Sequence, residues 1–310
     1  AMGLRDWRPE GCVGQYRLPG CAVDLGLPDM SFREAVAAGA NSVVIGVAPS
    51  GGALKVEWVS VLAEAMRSGL SVVSGLHRKL SEESELVKAA AASGQQLIDI
   101  RVPPASISIA TGRRRSGKRL LMVGTDCCVG KKYSALSLHK ALKERGIAAT
   151  FRATGQTGIL IAGRGIPMDA VVSDFLSGAA ETLTPDAATD HWDVIEGQGS
   201  LFHPAYAAVT LGLLHGSQPD AMVLCHGVGR MVIDEYEDYP VPDLRDCVAQ
   251  YEQAARVTNR VSSIVGISLN TQGLSDDEAV RACRDNSTLT GLPCVDPMRH
   301  ALDSILDALP

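Results

Sequence analysis

An α/β protein built on parallel sheets is predicted by three features of this 310-residue chain. Short apolar runs of strand length alternate with longer helical patterns. Glycines stand where those patterns stop. One strand runs into a loop bracketed by Gly124 and Gly130, and a helix follows from Lys131. Composition agrees: 46% hydrophobic, 21% charged and only 4% aromatic residues, in a chain long enough for two cores.

In the first half, taken as residues 1–115, "SVVIGVA" (42–48), "LSVVSGL" (70–76) and "LIDI" (97–100) read as buried parallel strands. Between them "VEWVSVLAEAMRSG" (56–69) and "SEESELVKAAAASG" (81–94) read as helices, each with a terminal Gly. This βαβ order predicts a doubly wound, Rossmann-like domain. "VAPSGGAL" (47–54) is a Gly-rich turn without G-x-G-x-x-G spacing, so it suits a tight corner as well as a nucleotide site. The basic run "GRRRSGKR" (112–119) is expected to be a solvated linker, with phosphate contact the competing use.

In the second half, 116–310, strands are expected at 119–124, 148–154, 192–197, 221–226 and 263–270. Helices are expected at 131–146, 168–180, 243–257, 275–285 and 299–309. A net charge of −6 argues against nucleic acid as a partner. No apolar run reaches the length of a membrane span, and "AMGLRDW" has no basic region followed by an apolar core, so neither a membrane partner nor a signal peptide is expected. The eight cysteines form no C-x-x-C pair; reduced thiols in a cytoplasmic protein are the expectation. Homo-oligomerisation is the default for such an enzyme.

The stretch "VGTDCCVGKKYSAL" (123–136) carries the chemistry. A strand, a glycine loop and a helix opening on lysine make a P-loop, whose backbone N–H groups and helix N-terminus hold a pyrophosphate. The expected contacts run from Gly124 through Thr125, Asp126, Cys127, Cys128, Val129, Gly130, Lys131 and Lys132 to Tyr133. A magnesium-nucleotide enzyme needs a Ser or Thr hydroxyl after the loop lysine. Here that residue is Lys132. If it points inward, two ammonium groups suit a metal-free pyrophosphate. If it faces solvent, Thr125, Asp126 or Glu196 are left to assemble a magnesium site.

"GTDCCVGKK" is similar to the "G-T-D-x-x-V-G-K-T" loop of dethiobiotin synthetases and their cobyrinate-amidase relatives. "FRATGQTG" (151–158), "VIEGQGS" (194–200) and "GISLN" (266–270), ending in an Asn270 able to read an adenine edge, follow in the same order. More broadly, "WRPEGCVGQYRLPG", "FRATGQTGILIAGRGIP", "DAVVSDF" and "DHWDVIEGQGSLFHPAYAAVTLGLLHGSQPD" resemble the D-glutamate/D-amino-acid N-acetyltransferase family from about residue 4 to the C-terminus. That resemblance implies a Rossmann-like domain, a dethiobiotin-synthetase-like P-loop domain, acetyl-CoA as donor and a D-amino acid as acceptor. Coenzyme A carries a pyrophosphate and its thioester needs no metal, so no metal is expected. The alternatives are an ATP- and magnesium-dependent carboxylate-activating ligase and a nucleotide-regulated binding module.

N-Acetylation needs a base for the ammonium and stabilisation of an oxyanion. Asp126, Glu196 and His203 are the candidate catalytic groups. Arg152 and Arg230, at strand ends, are candidate carboxylate partners. Gln156, Thr157, Gln198 and His226 are further substrate-binding candidates, whereas His77 and His215 are expected to be structural. Where the family pattern has an acidic residue and a proline after "LCH", this chain has Gly227 and Val228, followed by an acidic run at Asp234, Glu235, Glu237 and Asp238. That run is expected to be a solvated loop; lining the pocket, it would repel a dicarboxylate.

Overall fold

A computed structural model of the chain describes residues 1–47 and 54–310, so the glycine-rich corner expected at 47–54 lies outside the described residues apart from its two ends. The chain opens with α1 (Met2–Trp7) and α2 (Phe32–Ala37), the second started by a Ser31–Glu34 capping box. There follow β1 (Ser42–Val44), α3 (Val56–Arg67), β2 (Ser71–Ser74), α4 (Ser84–Ser93) and β3 (Leu97–Asp99). The strands form a parallel sheet in the order β1-β2-β3, with Val43, Val72 and the helix residues Leu62, Met66 and Leu86 in its core. α4 starts later than the sequence suggests. Leu80–Glu82 makes a tighter turn, and the Leu80 N–H donates to Asp99 at 3.0 Å.

The second unit contains β4 (Lys118–Gly124), α5 (Lys131–Glu144), β5 (Ala149–Arg152), α6 (Gln156–Ala162), α7 (Leu176–Leu183) and β6 (Trp192–Ile195). It continues with α8 (Ala207–Ser217), β7 (Ala221–Gly227), the hairpin β8 (Val232–Ile233) and β9 (Tyr236–Pro240), and α9 (Leu244–Ala255). β10 (Ser263–Asn270), α10 (Asp276–Thr290), β11 (Cys294–Val295) and α11 (Asp303–Leu306) complete it. Six parallel strands run in the order β11-β10-β7-β4-β6-β5. β4 is central, so the loop that follows it emerges where the chain sends strands to both sides, the position of ligand crevices in open α/β sheets. Leu120, Met122, Val194 and Val223 are fully buried, as a sheet covered on both faces requires. Among the described residues no helix is long and apolar enough to cross a membrane.

Two expectations need correction. The helix expected at 168–180 is interrupted: Val171 and Val172 are extended between two short turns, and α7 starts only at Leu176. The basic run is a solvated linker only in part: residues 112–114 and 116 are exposed, but two of its arginines are buried. Arg115 is 6% exposed and Arg119 1%. Arg115 donates to the Thr184 carbonyl after α7 and to the Gly216 carbonyl near the end of α8, both at 2.6 Å. Helix C-termini leave carbonyls without partners, and a guanidinium satisfies several at once. Arg113 pairs with Asp186 and Arg114 with Asp220.

The preceding segment is strapped to the same helices. Thr111 and Gly112 N–H groups donate to Glu181, each at 2.8 Å. A Cβ on Gly178 would lie 1.8 Å from the Ser108 carbonyl oxygen, so only glycine admits this crossing. Gly178→Ala should therefore cost about 1–3 kcal/mol, the usual range for overpacking, measured by urea denaturation; an unchanged midpoint would refute the tight crossing.

Candidate active site

The loop between β4 and α5 is held at its root. The Tyr251 hydroxyl donates to the Gly124 carbonyl at 2.7 Å and Ser200 Oγ donates to the same oxygen at 2.8 Å, while the Leu201 N–H donates to Tyr251 at 3.1 Å. Cys128 (φ 56°) and Gly130 (φ 106°) are left-handed, which turns the backbone into the kind of concavity that binds anions. Lys131 crosses this loop buried, its Nζ donating to the Asp126 carbonyl at 2.7 Å. Burial pushes its pKa down. Gly197 makes room for the chain of this lysine: a Cβ there would sit 2.9 Å from Lys131 Cδ. Val129 is buried, and Asn270 lies beside Gly130, its Oδ1 accepting from the Gln272 N–H at 3.0 Å.

The second lysine goes elsewhere. Lys132 Nζ lies 5.1 Å from the Tyr133 ring centre and 3.0 Å from where a Gly3 side chain would begin, in a crevice between α1, α5 and α6. The two ammonium groups expected over one anion thus point to two places. Tyr133 donates to Asp6 of α1 at 2.7 Å. The first unit closes the same crevice from the carboxyl ends of its strands. A Cβ on Gly75, just after β2, would lie 2.6 Å from Gln156 Cγ, and Arg101, after β3, donates to the Gly75 carbonyl at 2.5 Å and pairs with Asp169.

Glu196 borders this crevice from the end of β6. Its Oε2 accepts the N–H groups of Thr154 (2.9 Å) and Gly155 (3.0 Å). Gly158 presses so close that a Cβ would meet Oε2 at 2.2 Å. Burial pushes the Glu196 pKa up, against those two hydrogen bonds and the charges of Lys132 and Lys131. A buried carboxylate of raised pKa beside a lysine is the profile of a general base. Gln198 donates to Thr154 Oγ1 at 3.0 Å, and Thr157 lies against Gly3.

Other candidates are engaged in other work. Asp126 is fully buried, and its carboxylate accepts from the Cys127 N–H (2.6 Å), the Asp234 N–H (2.8 Å) and Arg230 (3.1 Å). It is a fastener for the β8–β9 hairpin rather than an available base. Arg230 bridges Asp126 and Asp234. Arg152 is likewise paired, its Nε donating to buried Asp193 at 2.7 Å. His226 meets Thr125 Oγ1 at 3.0 Å, and burial pushes its pKa down. The acidic run forms a hairpin instead of an irregular loop, and Glu235, Glu237 and Asp238 are exposed to solvent as expected; beside them Ile233 is buried and Tyr236 packs 5.1 Å from the His203 ring. His77 is exposed, and His215 bonds the Ala254 carbonyl at 3.1 Å, a structural role.

His203 is 2% exposed, and its Nδ1 accepts from the Ala205 N–H at 3.1 Å. In the neutral ring this assigns the proton to Nε2, making His203 a hydrogen-bond donor instead of the expected base. Asp126, Cys127 and His203 offer ligand atoms within 4.8 Å of one another. A cation there would compete with Arg230 for Asp126 and need the Cys127 thiol, which burial pushes up to about 11. Sequence reasoning missed Ser200, Tyr251, Thr154, Asp6 and Arg101. Ser200 and Thr154 stood inside quoted motifs; Tyr251 has no local signal, because its partners are far away in the chain.

Loop, lysines and strand-end acid define a two-domain α/β protein with a P-loop whose metal-binding hydroxyl is replaced by an ammonium. Family models agree with that architecture. A domain of unknown function described as the DUF1611_N Rossmann-like domain matches residues 16–103, and the DUF1611_C P-loop domain matches 108–306. The chain belongs to the DUF1611 family. It is 51% identical over 309 residues to a D-glutamate N-acetyltransferase of Tritonibacter scottomollicae, covering 100% of this chain and 93% of that protein. It is 48% identical over 306 residues to a protein of the same name from Pseudoalteromonas, covering 99% and 92%. A crystal structure of a DUF1611 family protein from Anabaena variabilis superposes with a TM-score of 0.85 at 37% identity, over 91% of this chain and 84% of that one.

The raised pKa of Glu196 gives a signed stability prediction. A carboxyl whose folded pKa exceeds its unfolded value stabilises the fold while protonated, and that contribution is lost as pH rises through the folded pKa. Glu196→Gln cannot ionise, so its Tm relative to the parent protein should rise from the ordinary carboxylate range upward and level off above the raised pKa. Calorimetry across that interval checks this; a difference independent of pH contradicts the burial argument.

Proposed function

We propose that this chain is a D-glutamate N-acetyltransferase that takes its acyl group from acetyl-CoA, without a metal. The observation carrying the reading is Lys132. It brings an ammonium toward Glu196, where a magnesium-nucleotide enzyme needs a hydroxyl and an acid around a divalent ion. A P-loop so altered suits a diphosphate that is held but not cleaved, as in coenzyme A. The full-length similarity to two proteins named D-glutamate N-acetyltransferase supports the same reaction. A cytoplasmic location, consistent with the buried thiols Cys225, Cys247 and Cys283, belongs to the proposal.

In this reading the loop from Gly124 to Lys131 binds the diphosphate and Asn270 meets the adenine edge. Glu196 takes a proton from the acceptor ammonium. The freed amine forms a C–N bond at the thioester carbonyl carbon, the C–S bond breaks, and the sulfur leaves as a thiol after protonation. His203, a donor at Nε2, is suited to the developing oxyanion.

The test mixes purified protein, acetyl-CoA and a panel of D- and L-amino acids, and follows free thiol with EDTA present. Thiol release with D-glutamate, undiminished by chelator, is expected. Phosphate release from ATP that requires magnesium would instead establish the carboxylate-activating alternative. Glu196→Gln should lower kcat about 100-fold, the range of a lost general base, with KM for acetyl-CoA little changed.

A further inference from the structure

Among the side-chain cations around this crevice, Lys132 differs in having no hydrogen-bond or salt-bridge partner. Arg152 is spent on Asp193, Arg230 on Asp126 and Asp234, and Arg101 on Asp169. Lys131 is tied to the Asp126 carbonyl. No hydrogen bond or salt bridge to the Lys132 ammonium exists among the described residues; its contact is the Tyr133 ring at 5.1 Å. The neighbouring carboxylates are committed, Glu196 to the N–H groups of Thr154 and Gly155, and Asp6 to Tyr133 and Arg5. An ammonium withdrawn from water with no direct ion pair, the carboxylates of Glu196 and Asp6 acting on it only through space, is costly, so its position favours an anion entering the crevice.

The walls fit such an anion. Gly3, on α1, leaves open the space next to the ammonium: a Cβ there would lie 3.0 Å from Lys132 Nζ and 2.9 Å from Thr157 Cγ2. Gly75 of the first unit abuts the Gln156 side-chain stem at the start of α6. Glu196, the base of the proposed reaction, couples to Lys132 electrostatically.

Resting on the acetyltransferase reading, we propose that Lys132 is the anchor for a carboxylate of the acceptor amino acid, leaving the diphosphate to the loop and Lys131. The lysine that replaces the metal-binding hydroxyl thereby becomes the residue that selects an anionic acceptor. Burial pushes its pKa down, and a bound carboxylate restores the charge.

The test compares parent enzyme, Lys132→Met and Lys132→Arg. For Lys132→Met, the KM for D-glutamate should rise at least about tenfold, as expected for loss of a charged hydrogen bond, and the Kd of coenzyme A by calorimetry should stay within about twofold. Lys132→Arg should recover part of the D-glutamate affinity. D-Glutamine and D-isoglutamine, each with one carboxylate converted to an amide, identify the group held: the parent should lose affinity for one, and Lys132→Met should not discriminate. An unchanged D-glutamate KM, or a matching loss of coenzyme A affinity, would overturn the assignment. A parent enzyme that acetylates no D-amino acid would overturn the functional reading itself, an outcome distinct from an active parent beside an unaffected Lys132→Met.

Discussion

The buried ammonium of Lys131 is the constraint on which the second unit's architecture turns. Its hydrogen bond to the Asp126 carbonyl, 2.7 Å long, folds the loop over the start of α5. An interior charge survives only where polar groups meet it, and that carbonyl is the group that meets this one. The demand spreads outward. Gly197 has no room for a side chain beside Lys131, and Gly124 is fixed by Tyr251 and Ser200 from two other segments. The loop's concave shape is thus held by contacts from three segments.

The same accounting of partners sorts the remaining charges. Asp126, Arg230 and Asp234 neutralise one another and fasten the β8–β9 hairpin to the loop. Arg152 and Asp193 do the equivalent at the β5 side of the sheet. What is left facing the crevice is a carboxyl that burial keeps from ionising easily and an ammonium without a direct ion pair. In the proposed reaction the working groups are those whose charge the fold leaves incompletely compensated. The arginines that looked most suited to a dicarboxylate are already paired with carboxylates of the fold.

The two units contribute unequally to this site. The P-loop unit provides the loop, both lysines and Glu196. The Rossmann-like unit provides backbone at the ends of β2 and β3, with Arg101 tying Gly75 to Asp169. Its role is to close the crevice, and α1 adds a wall through Gly3 and Asp6.

The order of strands and helices, the phosphate loop and the acid at the end of β6 could all be read from the sequence. Each depends on residues adjacent in the chain: apolar periodicity, a glycine stop, a lysine opening a helix. The replacement of a hydroxyl by Lys132 was equally plain, though its direction was not. Tertiary structure alone decided which charged groups are free, because Arg152 meets its partner 41 residues away and Arg230 meets Asp126 at a separation of 104. It also turned a basic run read as a linker into a cap for two helix ends, since the carbonyls that Arg115 satisfies lie 69 and 101 residues downstream. Backbone preference is encoded within a few residues, whereas compensation of charge is a property of neighbours in space.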